Sequence, residues 1–204
     1  MSPLKLYPKN NSQRVLDRIT AQLEDSAIIV YPTDTSYALG CSCLKERAVE
    51  RICRIKDIDP TKHYLSIVGP ELSHISEFAK VDNATFKLLK RNTPGPFTFI
   101  LNPSSHLPKI FRNRKQVGIR IPDNPIARLL CEQLGNPLLS TTVPFDEGDD
   151  MEYLTNPELI AERLGAEVDL VIDGGICSAE PSTIIDCTDS EPVIVRQGKG
   201  EVRL

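Results

Sequence analysis

The apolar positions of the chain change spacing several times, and each change predicts a new element. Leu16, Ile19 and Leu23 recur at intervals of three and four residues, which predicts an amphipathic helix over residues 12–25 that begins near Ser12. The pairs Asp82–Asn83, Asn124–Pro125 and Asn156–Pro157 have the residue types that begin helices, and apolar positions at helical spacing follow them. A further helix is predicted over residues 46–57.

Between these helices lie short apolar runs that predict strands. Residues 27–31 form a continuous run closed by Pro32, typical of a strand buried on both faces. Because helices and strands interleave along the chain, we expect an α/β protein whose mixed or parallel sheet is covered on both sides. The other predicted strands are residues 37–43, 97–101, 117–121, 137–141, 168–172, 182–185 and 193–195.

Charge and composition limit the classes of function. The 204 residues carry 24 Lys and Arg against 28 Asp and Glu, a net charge of -4, so a phosphate-binding site has to be a local basic patch. No apolar run reaches the ~18 residues of a membrane span, and the first residues lack a signal-peptide core. We therefore expect a cytoplasmic protein without membrane contact. The three histidines and six cysteines show no metal-ligand spacing.

Candidate chemistry lies at the ends of the predicted strands, where ligands bind in open sheets. Threonine and serine there are also common turn formers, so each alone is weak evidence. Arg120 and Arg196 directly follow apolar runs, and such an arginine has to reach solvent, a carboxylate or a phosphate. For Arg120 we expect a ligand, and the alternative is a buried carboxylate such as Asp173 or Asp186. Lys56 lies on the apolar face of its helix, which also points to a cavity or an anion.

The order of seven segments resembles that of a known family. YPTDTSYALG, AVERICRIK, TPGPFTFIL, VGIRIPDNPIA, PLLSTT, PSTIID and VRQGKG follow one another over about residues 12–200, as they do in the YrdC family. The chain looks closest to the YciO branch of that family. The resemblance implies one YrdC-like domain over residues 1–204, with a three-layer α/β (α+β) fold, a twisted open mixed β-sheet and a concave basic cavity.

The resemblance also implies an activity. The best-known members of the family are threonylcarbamoyl-AMP synthases, nucleotidyltransferases that use L-threonine, bicarbonate and ATP with a divalent metal and release pyrophosphate. Their product feeds the threonylcarbamoyladenosine modification of tRNA. ATP with Mg²⁺, L-threonine and bicarbonate are therefore the expected ligands, and tRNA or double-stranded RNA is the expected macromolecular partner.

Position by position, the match implies two sets of contacts. Arg120 is expected to hold the amino acid carboxylate with paired hydrogen bonds, and the cations are expected to offset phosphate charge. No catalytic nucleophile and no metal-binding residue is implied, because positioning and electrostatics carry such a reaction. The threonine-binding set is Thr35, Arg120, Ser140 and Ser182, and the nucleotide-binding set is Lys56, Lys62, Thr142 and Arg196.

The sequence departs from the family pattern in the stretch that usually reads K-x-R-P-x-x-K-P-L. Here KDIDPTKHY places Ile58 at the position of a second cation and adds Asp57 and Asp59. Thr142 replaces the asparagine of the family's S-A-N segment. One lost cation and two added carboxylates weaken polyphosphate binding. They support an alternative function, that of a non-catalytic nucleotide or double-stranded RNA binding protein of the YciO type.

Overall fold

The computed structural model describes residues 1–59, 65–107 and 115–203. The helices within these residues are α1 (Gln13–Glu24), α2 (Glu46–Ile55), α3 (Leu72–Ile75), α4 (Asn83–Asn92), α5 (Pro125–Leu134) and α6 (Pro157–Leu164), with a 3₁₀ turn at Met151–Leu154. The strands are β1 (Leu4–Lys5), β2 (Ile29–Tyr31), β3 (Ala38–Ser42), β4 (Ser66–Val68), β5 (Ala79–Lys80), β6 (Phe97–Pro103), β7 (Val117–Arg120), β8 (Leu138–Thr142), β9 (Leu170–Asp173), β10 (Thr183–Asp186) and β11 (Val193–Arg196).

These strands form one open sheet in the order β1-β9-β2-β3-β8-β4-β7-β6-β10-β11, and β5 pairs with β6. The sheet is mixed. The parallel pairs are β1–β9, β2–β9, β4–β7 and β6–β10, and the remaining pairs are antiparallel. The predicted α/β fold with an open mixed sheet is confirmed.

Helices cover both faces of the sheet, and alternate residues of each strand contact different helices because successive side chains point to opposite faces. One face carries Leu39, Ile67 and Phe99, which belong to the same buried cluster as Ile52 of α2 and Ile160 of α6. The other face packs against α1 and α5 through a second cluster, which includes Leu16, Ile19, Ile29, Tyr31, Ile126, Leu130 and Leu138.

On the face that carries the second cluster, the middle of the sheet is built from small residues. Gly40 of β3 lies opposite Ser140 of β8, Ser140 lies opposite Ser66 of β4, and Ser66 lies opposite Gly118 of β7. A Cβ atom on Gly118 would lie 2.8 Å from the Ser66 hydroxyl, so this row admits no larger side chain without movement. Arg120, two residues after Gly118, projects from the same face at the end of β7.

Polar side chains cap the helices where the sequence predicts. Asp82 accepts a hydrogen bond from the Thr85 amide at the start of α4, and Asn156 accepts one from the Glu158 amide at the start of α6. Asn124 accepts from two amides at the start of α5. Ser12 precedes α1 as predicted, but its hydroxyl makes no capping hydrogen bond.

Two parts of the sheet differ from the sequence expectation. The strands β1, β4 and β5 were not predicted, because two or three residues are too few to show a periodic pattern. The apolar run 193–195 does form a strand, but β11 lies at the edge of the sheet and all four of its residues are exposed. Its apolar residues therefore do not mark a buried strand.

We predict that Asn124→Ala lowers the free energy of unfolding by about 1 kcal/mol, because two backbone amides of α5 lose their acceptor. Ser12→Ala is the matched control, since the Ser12 side chain makes no capping hydrogen bond. Urea denaturation of both variants measures the difference. Equal stability losses in the two variants would contradict the assignment of Asn124 as a cap.

Candidate functional site

The loop after β2 presents a buried set of hydroxyl groups. The Thr33 hydroxyl donates to the Ser36 carbonyl at 2.7 Å and accepts from the Thr35 amide at 3.1 Å. The Thr33 and Thr35 hydroxyl oxygens are 2.9 Å apart, and because the Thr33 hydrogen is already donated, Thr35 has to be the donor of that bond. Thr35 is therefore left with acceptor capacity alone.

Arg120 reaches this loop from the end of β7. Its Nη2 atom donates to Asp34 Oδ1 at 2.9 Å and to Thr35 Oγ1 at 3.2 Å. The ion pair is shielded from water, since the side chains of Arg120 and Asp34 are 12% and 7% exposed. The second Asp34 oxygen, Oδ2, accepts from the Asp123 amide at 2.9 Å. Arg120 thus does pair with a carboxylate, in addition to facing the loop of hydroxyls.

The partner is neither of the two carboxylates considered from the sequence. Asp173 pairs with Lys5 at 2.8 Å, and Asp186 accepts hydrogen bonds from Thr188. Asp34 itself was not predicted, because an aspartate between two threonines after a strand is typical of a turn.

Ser182 and Arg196 meet where β10 begins and β11 ends. Arg196 donates to the Ser182 carbonyl from Nη2 at 2.8 Å and from Nε at 3.2 Å, and Nη2 also lies 3.3 Å from the Ser182 hydroxyl. That hydroxyl is 2.8 Å from the Thr98 hydroxyl of β6. Burial lowers the pKa of the Arg196 guanidinium, and the positive charge of Arg120 lowers it further. Because β6 and β10 separate β7 from β11 in the sheet, the strand ends that carry Arg120 and Arg196 lie at the same end of the sheet. Two cations there favour an anion beside them.

Ser140 and Thr142 lie on β8, two residues apart and on the same face. The Tyr31 hydroxyl donates to the Ser140 oxygen at 2.7 Å, so the Ser140 hydrogen remains available to a ligand. Burial raises the pKa of Tyr31, which keeps this donor protonated. Ser140 is buried, whereas Thr142 at the end of the strand is exposed.

Lys56 follows α2 and reaches the segment after β8. Its Nζ atom donates to the Val143 carbonyl at 3.3 Å. Burial lowers the pKa of the Lys56 ammonium, and the Asp146 carboxylate raises it by a smaller amount. Asp146 lies in the acidic segment of residues 143–152, which follows β8. In the structure Arg163 forms ion pairs with Asp146 at 3.0 Å and with Asp149 at 2.6 Å, so this segment is fastened to α6.

The predicted residues lie in two groups, one in the loop after β2 and at the ends of β7, β10 and β11, and one on or beside β8. Lys62 lies outside the described residues. Lys199 was not predicted: its Nζ atom donates to the Asp34 carbonyl at 2.7 Å. The sequence signal for Lys199 is its place in VRQGKG, three residues after Arg196. The first group is Thr35, Arg120, Ser182 and Arg196, and the second is Ser140, Thr142 and Lys56.

The sequence of this chain matches a known protein family. The model described as "Telomere recombination", which covers the Sua5, YciO and YrdC proteins, matches residues 21–198. The chain belongs to the Sua5/YciO/YrdC family. The YrdC resemblance seen in the sequence is confirmed.

Three relatives of this Sua5/YciO/YrdC chain are informative. YciO of Escherichia coli K12, described as uncharacterized, is 42% identical to this chain, and the match covers 97% of this chain and 96% of YciO. The crystal structure of E. coli YciO has a TM-score of 0.88, and the superposition covers 98% of this chain and 97% of the YciO chain. A putative threonylcarbamoyl-AMP synthase of Methanocaldococcus jannaschii is 33% identical over 96% of this chain and 92% of its own. The crystal structure of P. abyssi Sua5 with L-threonine has a TM-score of 0.83 at 25% identity. The superposition covers 97% of this chain and 58% of the Sua5 chain.

Within the described residues, no helix is long and apolar enough to cross a membrane. The same part of the chain holds no group of three or more His, Cys, Asp or Glu side chains that fits a metal ion.

We predict that Arg120→Ala lowers the free energy of unfolding by about 3 kcal/mol, because it leaves the buried Asp34 carboxylate without its cation. Arg120 therefore supports the fold through Asp34, whatever ligand it also meets. Lys5→Ala, which removes an exposed ion pair, is the control and is expected to cost less than about 1 kcal/mol.

A double-mutant cycle checks the same pair by chemical denaturation. Arg120→Ala combined with Asp34→Ala should cost less than the two single changes added together, because the double variant buries no unpaired charge. Simple additivity, or a loss for Arg120→Ala as small as that for Lys5→Ala, would contradict the role of the ion pair.

Proposed function

We propose that this protein is a nucleotidyltransferase of the threonylcarbamoyl-AMP synthase kind. It combines L-threonine, bicarbonate and ATP, releases pyrophosphate and water, and supplies threonylcarbamoyl-AMP for tRNA modification in the cytoplasm. The observation that carries the proposal is that two arginines each meet a hydroxyl group at the same end of the sheet: Arg120 donates to Thr35, and Arg196 lies beside the Ser182 hydroxyl. Such a site suits an amino acid carboxylate next to a phosphate.

The hydrogen-bond directions support an amino acid as one ligand. Arg120 has donors left for a carboxylate, and Thr35 has only acceptor capacity left, which suits an amino group. Ser140 can still donate its hydrogen to a ligand oxygen. In our proposal Thr35, Arg120, Ser140 and Ser182 hold threonine in this way.

The nucleotide is assigned to the cations other than Arg120 and to Thr142. Lys56, Lys62 and Arg196 offset the charge of the triphosphate and of the departing pyrophosphate, and Mg²⁺ arrives with the ATP. Thr142 offers a hydroxyl group to the nucleotide. No protein nucleophile is required, because the amino group, bicarbonate and the α-phosphate supply the reacting atoms and the protein holds them in place. Kinship with the M. jannaschii and P. abyssi proteins supports this assignment.

A second function, nucleotide or double-stranded RNA binding without catalysis, is favoured by one observation. Ile58, at the position where the family pattern has a cation, packs against the main hydrophobic cluster of the protein. The site therefore lacks one phosphate contact, and the neighbouring Asp57 is exposed and negatively charged.

We predict that purified protein releases pyrophosphate from ATP only when threonine, bicarbonate and Mg²⁺ are all present. Arg196→Ala should lower kcat/KM by about 100-fold, because a cation beside the developing phosphate charge is lost. Lys5→Ala, whose ion pair with Asp173 lies at the β1–β9 edge of the sheet, is the matched control. Pyrophosphate release without threonine would contradict the synthase proposal, and ATP binding without any release would favour the second function.

The lowered pKa of Lys56 predicts how ATP affinity depends on pH. The ammonium attracts the triphosphate only below its pKa, so this attraction should be lost as pH rises, and at a lower pH than for an ordinary lysine. Lys56→Arg should move the loss to higher pH, because a guanidinium stays protonated. ATP titrations from neutral to alkaline pH measure the effect, with Lys5→Arg as control. Identical profiles for wild type and Lys56→Arg would exclude Lys56 from the nucleotide site.

A further inference from the structure

Asp34 connects three segments that are distant in the sequence. Its Oδ1 atom accepts from Arg120 at the end of β7, and its Oδ2 atom accepts from the amide of Asp123 in the following turn. Its backbone carbonyl accepts from Lys199, which follows β11. One nearly buried aspartate thus fixes the loop after β2 against the ends of two other strands.

These contacts determine which edge of the Arg120 guanidinium remains for a ligand. Asp34 and Thr35 accept from Nη2, whose two hydrogens are then both donated. The Nε atom is buried and has no hydrogen-bond partner among the described residues. Nη1 is therefore the donor that Arg120 can offer without giving up a protein contact. A ligand carboxylate then binds one guanidinium nitrogen, whereas the sequence predicted paired hydrogen bonds from two nitrogens.

We propose that Asp34 is a positioning residue: it turns Arg120 so that Nη1 faces the ligand, and it keeps Thr35 beside it as an acceptor. That the ligand is threonine rests on the proposed function, whereas the orientation of Arg120 by Asp34 does not. Asparagine cannot replace Asp34, because both partners of the Asp34 carboxylate, Arg120 and the Asp123 amide, are donors. An asparagine side chain has one acceptor oxygen, so its NH₂ group would face one of these two donors.

The chain offers a matched control for Asp34→Asn. Asp169, next to β9, also accepts from an arginine and from a backbone amide: Arg51 at 2.9 Å and the Ile28 amide at 2.8 Å. Ile28 precedes β2, whereas Asp34 follows it, so the two aspartates lie at opposite ends of the strand. Asp169→Asn therefore removes an aspartate–arginine ion pair, one more exposed than Arg120–Asp34, away from the candidate site.

The orientation of Arg120 can be measured without any ligand by NMR of the arginine Nε–H groups. The Arg120 signal is assigned by its absence in Arg120→Lys, and its hydrogen should exchange slowly in the wild type because Nε is buried. Asp34→Asn should accelerate this exchange at least about tenfold, while Asp169→Asn leaves it unchanged. Unchanged exchange in Asp34→Asn would overturn the proposal. If Asp34→Asn does not fold, Asp34→Ala removes the same carboxylate without adding a donor and is judged by the same result.

Calorimetric titrations then test the consequence for ligands. Asp34→Asn should weaken L-threonine binding at least about tenfold and change MgATP affinity less than about twofold, whereas a general loss of structure would weaken both. Equal threonine affinity in wild type and Asp34→Asn would overturn the positioning role. If the wild type does not bind threonine, the proposed function fails, and the exchange of the Arg120 hydrogen alone decides whether Asp34 positions Arg120.

Discussion

The ion pair between Arg120 and Asp34 is the contact on which the candidate site depends. Both side chains are largely removed from water, and a buried charge without a partner is costly, so each residue holds the other in place. The pair joins the end of a central strand to the loop after β2, and Asp34 extends the connection to Asp123 and Lys199. The arrangement of ligand-facing groups follows from this contact.

The hydroxyl groups around the ion pair have little freedom left. Thr33 donates to a backbone carbonyl, which makes Thr35 donate to Thr33 and accept from Arg120. Tyr31 makes Ser140 an acceptor and leaves its hydrogen for a ligand. Donors and acceptors are therefore oriented before any ligand arrives, as a reaction that depends on positioning requires.

The sequence predicted the side chains of the site better than the contacts between them. Arg120 and Arg196 became candidates because each follows an apolar run, and such strand ends converge in an open sheet. The family resemblance selected Thr35 and Ser182 among the hydroxyl groups at strand ends. Asp34 was missed because its role depends on Arg120, 86 positions away, and hence on strand order and register. The periodicity of apolar residues carries no information about strand order or about register. The same limit explains the exposed strand β11, whose apolar residues gave no sign that it lies at the sheet edge.

The central claim is that Arg120, oriented by Asp34, receives the carboxylate of an amino acid. A crystal structure of the protein with L-threonine and a non-hydrolysable ATP analogue tests it most directly. We expect the threonine carboxylate within hydrogen-bond distance of Arg120 Nη1, the amino group beside Thr35 Oγ1, and the Arg120–Asp34 pair intact. Threonine bound elsewhere, or an Arg120 that leaves Asp34 to bind it, would contradict the account.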